Sequence, residues 1–158
     1  MNNYTVTFFG HRDFIEQFKY EDMIMEIFED IIKENGYVDF LVGRNGEFDQ
    51  FVSSAIRNFK KRKGDESIFH ILVLSYMTAE YTNNKESFEA YYDEIEISIN
   101  ASRAHYKSAM QIRNQEMVDR SDLIICYINK NNGGAFKAVE YAKKQGKRII
   151  NLYNENHI

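Results

Sequence analysis

Three stretches of this chain put glycine beside groups that hold anions. They are Gly10-His11-Arg12, then Gly43-Arg44-Asn45-Gly46 with Asp49 three residues on, and Asn131-Asn132-Gly133-Gly134. Glycine lets backbone approach a ligand closely and accepts a positive φ. Where such a turn opens a helix, the first N–H groups lack intrahelical partners and face the positive end of the dipole, so phosphate is the natural anion. Any one of these turns, taken alone, is an ordinary strand-to-helix connection. Three at one edge of a sheet point to a phosphorylated ligand. His11 is then a candidate acid or base near neutral pH, and Arg12 a phosphate clamp; local turn roles suit both equally well. None of the turns has the Walker A spacing or G-x-G-x-x-G, so an ordinary ATP or NAD site is not indicated.

Arg113 is the most informative charge. Tyr106, Met110, Arg113 and Met117 fall at helical spacing on one face. An arginine among bulky, mostly apolar side chains must reach water or find a partner, because an unpaired buried charge is costly. A ligand phosphate and a structural salt bridge satisfy it equally well. Glu140 follows Gly133 by seven residues, but Ala135, Ala138, Val139 and Ala142 form the apolar face of its helix. Periodicity therefore gives Glu140 a surface pairing with Lys144. His70 falls inside an apolar run, while His105 and His157 have no obvious partners. No His/Cys/Asp/Glu cluster has metal-ligand spacing, and neither a metal nor a cofactor is expected.

These residues need a scaffold, and the pattern supplies one. Strand-like runs cover Tyr4 to Phe9, Val38 to Val42, Ile68 to Leu74, Leu123 to Ile128 and Arg148 to Leu152. Helical runs cover Asp13 to Asn35, Glu47 to Lys63, Ala104 to Arg120 and Gly134 to Gln145, with Gly36, Gly64 and Gly146 as stops. Alternation of this kind predicts an α/β, Rossmann-like three-layer sandwich with a mainly parallel sheet of about five strands, as one domain over 1–158. Ligands in such sheets bind beyond the carboxyl ends of the strands. The segment Ser75 to Arg103 breaks the rhythm: it is long, acidic and aromatic, with a short helix expected near Glu86 to Asp93. A ligand lid, a packing insert and a subunit contact all fit it.

The residues resemble the SLOG superfamily, named for its DprA-like and Lonely-Guy-like members, and more narrowly its YpsA-like branch. The likeness covers nearly the whole chain. Gly10-His11-Arg12 is similar to that branch's element after its first strand, and Gly43, Gly46 and Asp49 resemble its Gly-x-x-Gly-x-Asp turn with one extra residue. Met110, Arg113 and Met117, then Ser121-Asp122, then Gly133-Gly134 and Glu140 resemble the Met-x-x-Arg-x-x-x-Met helix, the Ser-Asp pair and the Pro-Gly-Gly-x-Gly-Thr-x-x-Glu turn of Lonely-Guy-type phosphoribohydrolases. The resemblance implies that Arg113 and Glu140 are catalytic-site residues, and it raises Glu140 above its periodicity reading. It also implies a homodimer. Phe136-Lys137 stand where those enzymes have Gly-Thr, and Asn114 where they have Lys.

Composition limits the rest. At 158 residues and 44% apolar, the chain can bury a core. Cys126 is the sole cysteine, so no intrachain disulfide forms, and it reads as a core residue. The basic run Lys60-Lys61-Arg62-Lys63 reads as a helix end complementing the macrodipole. The net charge of −4 argues against general nucleic-acid binding. With no signal pattern and no membrane-length apolar run, a cytoplasmic location without membrane contact is expected. The leading expectation is a module binding a nucleotide or nucleotide-derived phosphorylated ligand. The alternatives are a phosphoribohydrolase-like enzyme cleaving an N-glycosidic bond, and a ligand-free interaction protein working through the acidic insert.

Overall fold

A computed structural model describes residues 3–64 and 66–156; His157 lies outside the described residues. Six strands build one sheet: β1 (Tyr4–Gly10), β2 (Val38–Val42), β3 (Ile68–Leu74), β4 (Glu94–Ile97), β5 (Leu123–Tyr127) and β6 (Arg148–Asn151). Their order is β4-β3-β2-β1-β5-β6, and every pairing is parallel. Central β1 pairs on both sides, with Val6 opposite Phe40 in β2 and Leu123 in β5. The strand order reverses at β1 and β5, and there the loops leaving the carboxyl ends part to opposite faces.

The expected α/β sandwich is present, with one strand more than expected. β4 escapes a sequence reading because Glu94-Ile95-Glu96-Ile97 is short and half charged, which resembles loop. It is an edge strand, where outward charge discourages further pairing.

The helices are α1 (Glu21–Asn35), α2 (Glu47–Lys63), α3 (Ala79–Asn83), α4 (Lys85–Tyr91), α5 (Ile99–Arg103), α6 (Tyr106–Asp119), α7 (Gly134–Lys144) and α8 (Leu152–Asn156). One core joins α1 and α2 to the sheet through Val6, Phe8, Ile24, Phe28, Phe40 and Ile56. The other packs α6 and α7 on the opposite face through Phe9, Met117, Ile124, Cys126 and Val139. Burial pushes the Cys126 thiol up to about 12, as suits a packed rather than reactive cysteine.

The first helix begins at Glu21, not Asp13. Phe14 is the cause: its ring is buried against Tyr20, Phe48, Phe51 and Tyr127. Its N–H donates to Glu47 Oε2 at 2.9 Å. This anchor holds residues 13–16 irregular, and only the short 3-10 turn Gln17–Lys19 precedes α1. The basic run closes α2 as expected, with Lys60 paired to Asp93 and Lys63 to Glu29.

The Ser75 to Arg103 segment is ordered by its neighbours. It contributes α3, α4, β4 and α5, and Ser98 and Asn100 both bond the Glu116 carboxylate of α6. Ser121-Asp122 ties the end of α6 to the central strand. Asp122 takes the Thr5 N–H at 2.9 Å, and Ser121 shares a hydrogen bond with Thr7 at 2.6 Å. His105 does have a partner, since its Nδ1 accepts the Lys107 N–H at 3.2 Å and caps α6.

Candidate functional site

The strand reversal opens a cavity of about 300 Å³ at the carboxyl ends of β1 and β5. All three glycine turns contribute to it, in different ways. In the first, Gly10 is a packing glycine: a Cβ there would lie 2.2 Å from Cγ of the buried Phe48 ring. Gly10→Ala is therefore expected to cost about 1–3 kcal/mol of folding stability by overpacking, measured by urea denaturation. His11 spans the crevice, accepting the Asn129 N–H on Nε2 at 3.3 Å. Burial, helped by the charge of Lys130, lowers its pKa, so the ring is neutral at neutral pH. Arg12 lines the cavity, and among the described residues its guanidinium has no acidic partner.

The second turn is shaped by close packing. A Cβ on Gly46 would sit 2.5 Å from Arg12 Cα, and one on Gly43 would sit 2.2 Å from Arg113 Nη2. Gly43 thus makes room for the guanidinium, while Gly46 is not part of the cavity wall. The N-terminus of α2 differs: its first turn carries Glu47 and Asp49, and the Glu47 N–H donates to the Arg12 carbonyl at 2.8 Å, while Asp49 Oδ2 takes the Asn45 N–H at 2.8 Å and Glu47 takes that of Phe14. Arg44 turns away toward the insert: Nε donates to Glu80 at 2.9 Å, Nη1 to the Tyr92 hydroxyl at 3.0 Å, and the group lies over the Phe88 ring.

The third turn is open. Gly133 has φ 95° and starts α7 with no side-chain cap and no acid in the first turn. The first helical bond runs from Lys137 N–H to the Gly133 carbonyl. The N–H groups of Gly134, Ala135 and Phe136 find no acceptor among the described residues. A Cβ on Gly133 or Gly134 would meet nothing within 4 Å. Asn132 and Lys130 complete this wall.

Arg113 closes the floor. It is 4% exposed. Nε donates to the Val73 carbonyl at 2.9 Å, and Nη1 to Asn114 Oδ1 at 2.7 Å and Met110 Sδ at 3.2 Å. Among the described residues no carboxylate comes within ion-pair distance of it. Burial lowers its pKa, against a raising influence from Asp49; an arginine stays protonated regardless. Burial likewise raises the Asp49 carboxyl, opposed by the Asn45 N–H and Arg113. The result is a buried cation held by neutral acceptors, beside a glycine turn and the free N–H groups of α7.

In fold, the chain resembles DNA processing protein A. That protein from Streptococcus pneumoniae superposes with a TM-score of 0.65 at 14% identity, over 93% of this chain and 49% of its own. DNA processing protein A from Helicobacter pylori, which binds single-stranded DNA, superposes with a TM-score of 0.61 at 15% identity, over 97% of this chain and 71% of its own. The chain thus spans about half the length of the Streptococcus protein. No protein-family model and no curated protein matches the sequence. The DprA-like part of the expected resemblance holds at the level of fold. The expectation of no general nucleic-acid binding does not stand, because the Helicobacter protein, whose fold this chain resembles, binds single-stranded DNA. A net charge averages over the surface and does not exclude local positive charge; Arg12, Arg113 and Lys130 all line this cavity. Among the described residues, no helix is long and apolar enough to cross a membrane.

The cavity gathers Gly10, His11, Arg12, Gly43 and Asp49 with Arg113, Asn132, Gly133 and Gly134. Glu140 is elsewhere. It pairs with Lys143 at 2.9 Å in a separate hollow beside Phe136 and Asn151. Reasoning from sequence missed Asn45, Lys130 and Asn114. Asn114 carries a signal in retrospect, as a polar neighbour of Arg113 on a helix with one buried side.

Proposed function

We propose that this chain binds a phosphorylated, nucleotide-type ligand, with the phosphate between Arg113 and the opening turn of α7. The observation that carries this reading is Arg113, a buried guanidinium with no carboxylate in ion-pair range among the described residues. A charge removed from water needs compensation, and a phosphate supplies it; with Nε and Nη1 engaged, Nη2 is the nitrogen left to donate to it. The free N–H groups of α7 add donors with the right dipole sense. The whole chain then acts as one binding domain of the SLOG type, with the YpsA-like branch as the nearest pattern.

A second reading replaces the single nucleotide by a strand of single-stranded DNA. It draws on the Helicobacter protein and on exposed apolar side chains in segments that follow the strands. Ile15 and Phe18 follow β1, Tyr76 and Met77 follow β3, and Tyr106 opens α6. Rings at such positions stack bases at about 1–3 kcal/mol each. Hydrolysis of an N-glycosidic bond through Glu140 is the weaker option, given that residue's pairing with Lys143.

Gly133→Val tests the site. A β-branched residue at φ 95° is strained by about 1–3 kcal/mol, and its bulk stands where the phosphate approaches. Wild-type protein is expected to gain melting temperature with nucleoside monophosphates, and the variant to lose most of that gain. A dT oligomer that displaces a bound monophosphate, with affinity falling steeply in salt, favours the strand reading. Undiminished monophosphate binding by Gly133→Val refutes the phosphate site.

A further inference from the structure

We infer that Asp49 is an acceptor for a ligand hydroxyl, so that the cavity takes a sugar phosphate in preference to a phosphate group alone. This rests on the phosphate reading of the site and adds a requirement to it. Asp49 lines the same cavity as Arg113. The two flank one point above Gly43: the position of a Cβ on that glycine lies 2.2 Å from Arg113 Nη2 and 3.0 Å from Asp49 Oδ2. They are nonetheless too far apart for an ion pair, so the carboxylate does not use up the guanidinium.

A carboxylate is the wrong group to set beside a site for a bare anion, because it repels the ligand and partly cancels the arginine. It is the right group where the ligand offers a donor next to its phosphate. Asp49 has the capacity for one. Oδ2 is engaged by the Asn45 N–H at 2.8 Å, and no donor among the described residues reaches Oδ1. An ionised carboxylate accepts on both oxygens, so Oδ1 is available to a donor that a ligand brings. A sugar hydroxyl supplies that donor, and the cavity of about 300 Å³ is several times larger than a phosphate group. Its other acid, Asp13, is exposed and makes no comparable contact among the described residues.

Isothermal titration with ribose 5-phosphate and methyl phosphate separates the possibilities, since both are phosphate monoesters and only the first carries hydroxyls. Wild-type protein is expected to bind ribose 5-phosphate at least about 10-fold more tightly, the worth of a hydrogen bond to a charged group. In Asp49→Asn one oxygen still accepts the Asn45 N–H, and the amide replaces the free oxygen. Methyl phosphate should then bind as tightly as before or more so, while ribose 5-phosphate falls to the same level. Opposite movement of the two ligands is not expected of a residue that only braces the turn. Equal affinity of wild type for both compounds overturns the inference, as does a parallel loss of both in a folded Asp49→Asn. If wild type binds neither, the phosphate site itself is wrong. The ligand-side comparison needs no variant to fold, so it decides even if Asp49→Asn is unstable.

Discussion

Arg113→Met is expected to weaken nucleoside monophosphate binding by about 100-fold or more, the effect of losing a buried charged partner. Among the described residues the guanidinium is the one fully buried cation facing the cavity. Its geometry is fixed before any ligand arrives. Val73 holds Nε and Asn114 holds Nη1, so little ordering remains to oppose binding. Folding stability should change far less than affinity. The variant leaves the Val73 carbonyl without its donor, a penalty of about 1–3 kcal/mol, but it also removes the desolvation cost of the charge. Arg113→Lys should not rescue binding, because an ammonium cannot hold the Val73 carbonyl and a phosphate with the same planar fork. Glu140→Gln serves as the contrast and should leave affinity unchanged, as its carboxylate is engaged with Lys143 outside the cavity. Calorimetric titration beside urea denaturation separates binding from folding. Affinity within about threefold of wild type, in a folded Arg113→Met, removes the physical basis of the proposed site.

Much of the scaffold is legible in the sequence because local signals agree. β2, α2 and β3 have the boundaries that apolar runs and the stops at Gly36 and Gly64 indicate. Both glycines have positive φ, so the residue type and the turn require each other there. The start of α1 is misleading because the helical pattern from Asp13 onward is local, whereas the burial of Phe14 among four rings is not. Tertiary packing outweighs the local preference.

The site is legible in part for a related reason. Helical spacing marks Arg113 as a charge on an apolar face, which is a local statement. What satisfies it is the Val73 carbonyl, forty positions away and without any side-chain signature. The glycines are visible in the sequence, but their separate roles are not. Gly10 admits Phe48, Gly43 admits the guanidinium, and Gly133 faces open space. Those distinctions depend on what stands opposite each glycine. Glu140 shows the reverse problem: a matching motif suggests a role that its ion pair with Lys143 does not support.

Lowering the pH from about 7 to about 4 is expected to remove about 3 kcal/mol of stability through His70 alone. The imidazole is buried in β3, with Nε2 2.9 Å from Ser53 Oγ. Its pKa falls from the usual 6.5 to about 4, chiefly through burial. Asp93 and the Tyr91 backbone oppose the fall, and Lys60 and Arg57 add to it. In the unfolded chain the ring takes a proton near pH 6.5. Between these values the unfolded state binds more protons, so stability drops as pH drops. Above pH 6.5 the contribution is complete, and below about 4 both states are protonated and the slope vanishes. His70→Asn cannot titrate. It should be less stable than wild type at pH 7.5, because Ser53 loses its ring partner, yet the gap should narrow steadily toward pH 4.5. Comparing the two proteins by denaturant unfolding cancels the groups they share, including His11 and Asp49, whose own shifts have opposite consequences. Parallel stability curves across that range would show that His70 is not held neutral by its surroundings.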